Sequence, residues 1–314
     1  MHRGLIRGIA AAAAVLAALG SAGAADPTPA KVLFGRAATP APLEARSIGF
    51  YSRGCLAGAK ALPVDGDNWQ AMRLSRNRVW GMPVLVDYIE KLANEAKALD
   101  GWPGLLVGDL SQPRGGPMAS GHASHQVGLD VDIWFLPMPD RVLSREERET
   151  ISAISLVRPG THVELDRKLW SDGLFRLLRR SASYDEVERI FVNAGIKKQL
   201  CDQAGSNRAW LRKVRPWYLH DDHFHVRLSC PPGMAGCKAQ EPTPPGDGCG
   251  ENLAWWLGPE PYKPPPKPAK PVKPAPPMTL ASLPPACAEV LQAMPGGVTA
   301  ASVVPLPPLR PKAN

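Results

Sequence analysis

Two hydrophobic periods run along this chain. From Val84 to Leu99 the apolar positions Val84, Leu85, Tyr88, Ile89, Leu92 and Ala96 recur every three to four residues, which predicts an amphipathic helix ending at Asp100-Gly101. Ser144-Arg145-Glu146-Glu147 has the spacing of a capping box and predicts a second helix running toward Val157. Leu165 to Arg180 reads as a third. Strands are predicted at Gly104 to Leu110, Val131 to Phe135, Arg189 to Asn193 and Phe224 to Leu228. With no internal repeat visible, this mixture predicts an α+β body: a small antiparallel sheet with flanking helices.

Strand parity then sorts the polar residues. In Asp130-Val131-Asp132-Ile133-Trp134-Phe135, a strand places Asp130, Asp132 and Trp134 on one face and sends Val131, Ile133 and Phe135 into the core. In His223-Phe224-His225-Val226-Arg227, the same period puts His223, His225 and Arg227 on one face, with Phe224 and Val226 behind. Same-face neighbours lie about 6.5 Å apart, so one imidazole can bind an ion while the next reaches water or substrate on it. His220 is out of that register and belongs to the preceding loop. Gly121 through Gly128, with His122 and His125, is a loop feeding the first strand, and no His-Glu-x-x-His helix occurs in the chain.

Five of the seven histidines fall in these two windows, a clustering that core packing rarely produces. Two imidazoles and one carboxylate leave the fourth position of a tetrahedral zinc site open, the arrangement of catalytic rather than structural zinc. The same set suits non-haem iron, a reading that an exported, disulfide-bonded chain disfavours.

Export is expected from the N-terminus. Residues 1–25 read as a signal peptide: a basic start through Arg7, an apolar run from Gly8 to Leu19 too short to span a bilayer, then small residues. No transmembrane segment is expected. Cys55, Cys201, Cys230, Cys237, Cys249 and Cys287 form an even set with no Cys-x-x-Cys pair, which in an oxidising compartment predicts disulfides. Only Cys230 and Cys237 look local. A formal charge of +8 and a pI near 9.3 favour an acidic partner such as a cell wall or anionic surface, and nucleic acid fits an exported chain poorly. The folded body is placed at residues 31–258. Residues 259–314 form a tail rich in Pro and Lys, extended in character, which a paired Cys287 would tie back in part.

The spacing His125-x6-Asp132 followed by His223-Phe224-His225 resembles the signature of the LAS metallopeptidases, the group of lysostaphin, the D-Ala-D-Ala carboxypeptidases and the hedgehog proteins. Within that group, Gly101 to Asp109, Ser111 to Met118 and Gly121 to Trp134 closely resemble the murein endopeptidases. So do Ile48 to Ser52, Gly54 to Gly58 and Arg189 to Cys201, and the likeness runs from about Lys31 to Cys237. The tail departs from the family pattern in its length and its Pro and Lys content.

The resemblance implies zinc held by His125, Asp132 and His225, with His122 also associated with the metal. It implies a catalytic, non-ligating His223, with His220 lining the same pocket. It also implies the disulfides Cys55 with Cys287, Cys201 with Cys249, and Cys230 with Cys237. His162 is the only candidate for a second metal position. The implied activity is periplasmic hydrolysis of D-alanyl to meso-diaminopimelyl cross-links in peptidoglycan, by water activated on the metal and without an acyl-enzyme for penicillin to trap. Asp130 is a candidate for orienting a ligand imidazole. Arg114 and Arg227 are candidates for pairing with carboxylates of the stem peptide. The competing expectations are a D,D- or L,D-carboxypeptidase on uncross-linked stems and a non-catalytic wall-binding module, the latter opposed by the presence of both His220 and His223.

Overall fold

The structure is a computed structural model that describes residues 27–266 and 275–294. The expected signal peptide, the middle of the proline-rich stretch and the last twenty residues lie outside the described residues. No helix among the described residues is long and apolar enough to cross a membrane.

The chain opens with α1 (Ala30–Gly35), a hairpin of β1 (Arg46–Phe50) and β2 (Arg53–Ala57), and the short strands β3 (Lys60–Ala61), β4 (Trp69–Ala71) and β5 (Trp80–Gly81). Then come α2 (Pro83–Leu99), β6 (Leu105–Val107), β7 (Asp130–Trp134), α3 (Arg145–Thr150) and α4 (Asp172–Ser183). The second half holds β8 (Val187–Val192), α5 (Ala194–Gln203), β9 (Val214–Pro216), β10 (His223–Leu228), α6 (Glu251–Leu257) and α7 (Ala286–Gln292). One six-stranded sheet, in the order β4-β6-β7-β10-β8-β9, carries the body. Its centre is the expected antiparallel sheet, and the short edge strands β4 and β9 join it in parallel.

Leu85, Ile89 and Leu92 of α2 and Leu174, Leu177 and Leu178 of α4 pack with Val131, Ile133, Phe224 and Val226 of the central strands in one buried cluster. This covers one face of the sheet, and the residues of opposite parity occupy the other. The register then does the positioning: Asp132 pairs with His225, Asp130 with Arg227, and Trp134 with His223. On the far side of β10, His225 pairs with Phe191, which in turn pairs with Arg215 on β9.

Two helices differ from the sequence expectation. Ser144 and Glu147 form the capping box, but α3 stops at Thr150 rather than Val157. Beyond it the backbone bonds elsewhere: Leu156 N–H donates to the Asp221 carbonyl at 2.7 Å, and Val157 bridges Leu165. That bridge also removes Leu165 from the next helix, so α4 begins at Asp172, capped by Ser171.

Cys55 joins Cys287, Cys201 joins Cys249, and Cys230 joins Cys237, the pairs that the family resemblance implies. The first lies in a small second core where Phe34, Ile48, Leu283 and Val290 pack together, so the C-terminal segment with α7 docks on the N-terminal hairpin. Arg114 belongs to this docking and not to a substrate site, which corrects the sequence expectation. Its guanidinium is buried and donates to the carbonyls of Val290 at 3.0 Å, Leu291 at 2.6 Å and Thr39 at 3.2 Å. Carbonyls in the last turn of a helix attract a cation, and a forked donor satisfies two of them at once. Replacing Cys55 and Cys287 together by serine, which opens a link 232 residues apart in sequence, is expected to cost about 2–5 kcal/mol in denaturant unfolding. An unchanged midpoint would mean that packing alone holds α7 in place.

Candidate metal centre and cleft

Four imidazoles converge on one carboxylate. Strand β7 fixes Asp132, with only a few per cent of its side chain exposed, and strand β10 fixes His225 directly opposite. His225 Nδ1 lies 3.2 Å from Asp132 Oδ1, His125 Nε2 lies 3.4 Å from the same oxygen, and His122 Nε2 lies 3.3 Å from Oδ2. His223 Nε2 is slightly farther from Oδ1, at 3.7 Å. The loop delivers His125 through a left-handed backbone (φ 62°), which buries its ring completely.

Buried polar atoms are nearly always hydrogen-bonded, yet both ring nitrogens of His125 and Oδ1 of Asp132 have no partner. Burial by itself would raise the Asp132 carboxyl, but its interactions with His125 and His223 hold it well below its usual range. His122, His125 and Asp132 each offer one donor atom, all within 4.8 Å of one another. Two imidazole nitrogens and a carboxylate oxygen suit a divalent cation such as zinc, which would satisfy Asp132 Oδ1 and one of the orphaned His125 nitrogens. His225 stands beside this trio, its ring centroid 4.6 Å from that of His125.

Further carboxylates orient the surrounding rings. Asp130 accepts from His225 Nε2 and from Arg227 Nε, both at 2.7 Å, and the Arg227 charge and these bonds outweigh its burial to keep it ionised. With the proton on Nε2, the lone pair of Nδ1 faces Asp132, as an ion-binding imidazole requires. Arg227 also donates to Gln240 at 2.8 Å and lies over the Tyr51 ring at 3.5 Å. It is buried and committed to Asp130, so the expected pairing with a substrate carboxylate gives way to a supporting position.

Asp109 and Asp222 were not singled out from the sequence as site residues: the charge partners of Asp109 come from distant segments, and Asp222 differs from its neighbour Asp221 in sequence by nothing that marks it as the partner of His223. Asp109 follows β6 and accepts from Arg76 at 3.0 Å, Arg78 at 2.7 Å and His122 Nε2 at 3.1 Å. Burial opposes its ionisation, but His122 and the two guanidiniums pull it down to about 2. Asp222 accepts from His223 Nδ1 at 2.5 Å, which turns Nε2 toward the centre. The one available signal was its place in His220-Asp221-Asp222-His223.

His220 and His223 are driven apart in basicity, with ring centroids only 5.0 Å apart. Burial depresses His223, yet Asp132, Asp222 and Asp221 raise it to about 9. Burial and the neighbouring His225 and His223 push His220 down to about 3. Its Nδ1 donates to the Tyr218 carbonyl at 2.8 Å, leaving Nε2 as an acceptor, while the Asn193 N–H holds the His220 carbonyl at 2.8 Å. One imidazole is therefore charged and its neighbour neutral. Both line a wide cleft on the bare face of the sheet, with His122, His225 and Phe191 on its floor and Trp217 and Trp255 along its rim. His162 does not join the cluster: its exposed ring stacks on Tyr262, with centroids 4.4 Å apart, and no metal-capable group among the described residues includes it.

A buried His/carboxylate group that could hold a metal ion sits at the base of an open cleft, flanked by a cationic and a neutral imidazole, a layout that suits a hydrolase. Residues 47–292 match the family described as penicillin-insensitive murein endopeptidase, and the chain belongs to that family. It is similar to the protein of that name from Klebsiella pneumoniae (strain 342), 44% identical over 280 residues, covering 88% of this chain and 96% of the relative. The Salmonella heidelberg (strain SL476) protein of the same name is 45% identical over 253 residues, covering 80% and 88%.

The Asp109 cluster generates a pH prediction for the metal-free protein. Its folded pKa of about 2 lies below the unfolded value of about 3.9. The stabilisation is therefore fully present above about pH 4 and lost as pH falls toward 2. Wild type is expected to be more stable than Asp109→Asn by a constant margin from pH 5 to 8, with the margin shrinking through the acid range in chemical unfolding. A margin that stays level down to pH 2 would contradict this assignment.

Proposed function

We propose that this protein is a zinc-dependent murein endopeptidase of the periplasm that hydrolyses D-alanyl to meso-diaminopimelyl cross-links. The observation that carries the reading is the set of orphaned atoms at the centre, both nitrogens of His125 and Oδ1 of Asp132, in a chain of this family. An unpaired polar atom in a dry interior costs on the order of 1–3 kcal/mol, and a bound cation removes the cost for Asp132 Oδ1 and for one of the His125 nitrogens. His125, Asp132 and His225 would hold zinc, with His122 at the rim. The expected signal peptide and the three disulfides support an oxidising, extracytoplasmic compartment.

Bound zinc supplies a Lewis acid and brings the pKa of a water it holds from 15.7 to about 7. The protein supplies the rest. His223, kept protonated by Asp222, stabilises negative charge developing on the scissile carbonyl oxygen. His220, neutral and with Nε2 able to accept, orients the attacking water by a hydrogen bond, and the proton that water releases passes to the leaving amine. Asp130 holds the His225 ring so that Nδ1 faces the centre. Phe191 and the Trp217 rim give the cleft an apolar wall beside the reacting groups. No side chain in this set serves as an acyl acceptor, so penicillin finds no nucleophile to trap.

Digestion of purified murein with and without a chelator, followed by mass analysis, tests the reading. Release of monomers from cross-linked dimers, abolished by the chelator and restored by zinc, is expected. Loss of terminal D-alanine alone would assign a carboxypeptidase instead. His223→Ala is expected to lower kcat by about 10²–10⁴-fold with unchanged zinc stoichiometry, and Asp222→Asn by less. Wild-type turnover in His223→Ala would remove that residue from the chemistry.

A further inference from the structure

One end of the cleft gathers more guanidiniums than the carboxylates that meet them. Arg189 on β8 stands directly opposite Arg227 on β10, a like-charge pairing that destabilises a sheet unless it is offset. The Arg227 charge is met by Asp130. Arg189, only 8% exposed, reaches the Glu241 carbonyl and, at 3.4 Å, Glu188, but its buried Nε has no partner. On the neighbouring edge strand, half-buried Arg215 donates to Asn252 Oδ1 at 3.0 Å, a neutral amide, and pairs with no carboxylate among the described residues. Lys197 lies close behind with its Nζ bonded to two backbone carbonyls at 2.7 Å, and burial and the Arg215 charge lower it to about 7. Arg189 and Arg215 both line the cleft that holds the histidines.

A half-desolvated guanidinium facing a second one is costly unless an anion completes the group, and a planar fork matches a carboxylate best. The sheet register fixes how far this group lies from the chemistry. Asp132, His225, Phe191 and Arg215 form one row across four neighbouring strands. With strands about 4.8 Å apart, the Arg215 backbone is about 10 Å from that of His225. An extended peptide covers that in about three residues.

We propose that Arg215, assisted by Arg189, forms a carboxylate-binding subsite that grips a free carboxylate of the stem peptide and sets which bond lies over the metal centre. This rests on the murein reading above and adds to it the group by which substrate is recognised. The two guanidiniums take the role that the sequence alone assigned to Arg114 and Arg227. Asn252 holds the Arg215 fork in the cleft when no anion is there, and a substrate carboxylate displaces or shares that bond.

The test uses a purified cross-linked muropeptide dimer and two versions of it, one with the free diaminopimelate carboxylate converted to the amide and one with the terminal D-alanine carboxylate so converted. With zinc-loaded wild type, amidation at the recognised carboxylate is expected to lower kcat/KM by about 10–100-fold, the range of a lost charge-assisted hydrogen bond. The choice of dimer identifies which carboxylate is held. Arg215→Met is expected to show the same loss on the unmodified dimer, mostly in KM, and no further loss on the sensitive amide. Arg215→Lys is expected to recover part of it. A wild type that cleaves all three dimers equally, or an Arg215→Met loss of equal size on every dimer, would overturn the subsite while leaving the endopeptidase reading intact. A wild type inert on all three would overturn that reading, and the subsite with it.

Discussion

The pairing of β7 with β10 is the constraint on which the rest of this molecule depends. Because side chains alternate along a strand, a slip of one residue would move Phe224 and Val226 to the polar face and drive His223 and His225 into the helix-packed core. The apolar parity of both strands opposes that slip, since Val131, Ile133, Phe224 and Val226 are fully buried only in the observed register. The Arg227–Asp130 pair opposes it again, because a displaced strand would leave a buried charge alone. Buried ion pairs add little net stability but strongly disfavour arrangements that separate them. Here the disfavoured arrangements are also those that dismantle the metal centre.

Around that register the site follows a division of labour between acids and imidazoles. Asp130 holds His225 and Asp222 holds His223, each through one ring nitrogen, so the other turns toward Asp132, whereas Asp109 and Asp132 share the Nε2 of His122. His220 is anchored by a neutral carbonyl instead and keeps no charge. Only His125 has no such anchor, and its position is imposed by the strained loop and by close packing against the neighbouring rings. The carboxylates therefore decide tautomer and charge, and the centre is set up before any substrate arrives.

These layers differ in how much the sequence discloses. The faces of β7 and β10 are readable because one side must be apolar, and a period of two in six residues is hard to produce otherwise. The LAS-like spacing of His125, Asp132, His223 and His225 is readable because metal and water geometry restrict which residue types stand there. The end of α3 is not readable, since Ile151 to Val157 keeps helix-compatible composition and loses its helix to tertiary hydrogen bonds with Asp221 and Leu165. The edge strands β4 and β9 are three residues each, too short to show a period. Asp109 looks like an ordinary polar residue until the fold brings Arg76, Arg78 and His122 to it, and Asp222 looks like one although its partner His223 is the next residue.

Arginine shows the same limit most sharply. Arg114, Arg227 and Arg215 carry the same charge, and sequence alone offers no reason to rank them. What separates them is how each guanidinium is already engaged: Arg114 by backbone carbonyls of the docked C-terminal helix, Arg227 by a buried aspartate, Arg215 by a single amide. A charge fully satisfied by the fold serves the fold, and one left half-satisfied at a cleft is available to a ligand. Because Arg215 and His225 belong to one row of one sheet, the distance between recognition and chemistry is set by strand spacing rather than by a flexible loop. Rigid spacing of that kind matters because errors of about 1 Å in placing a reacting bond can cost about 10²-fold in rate.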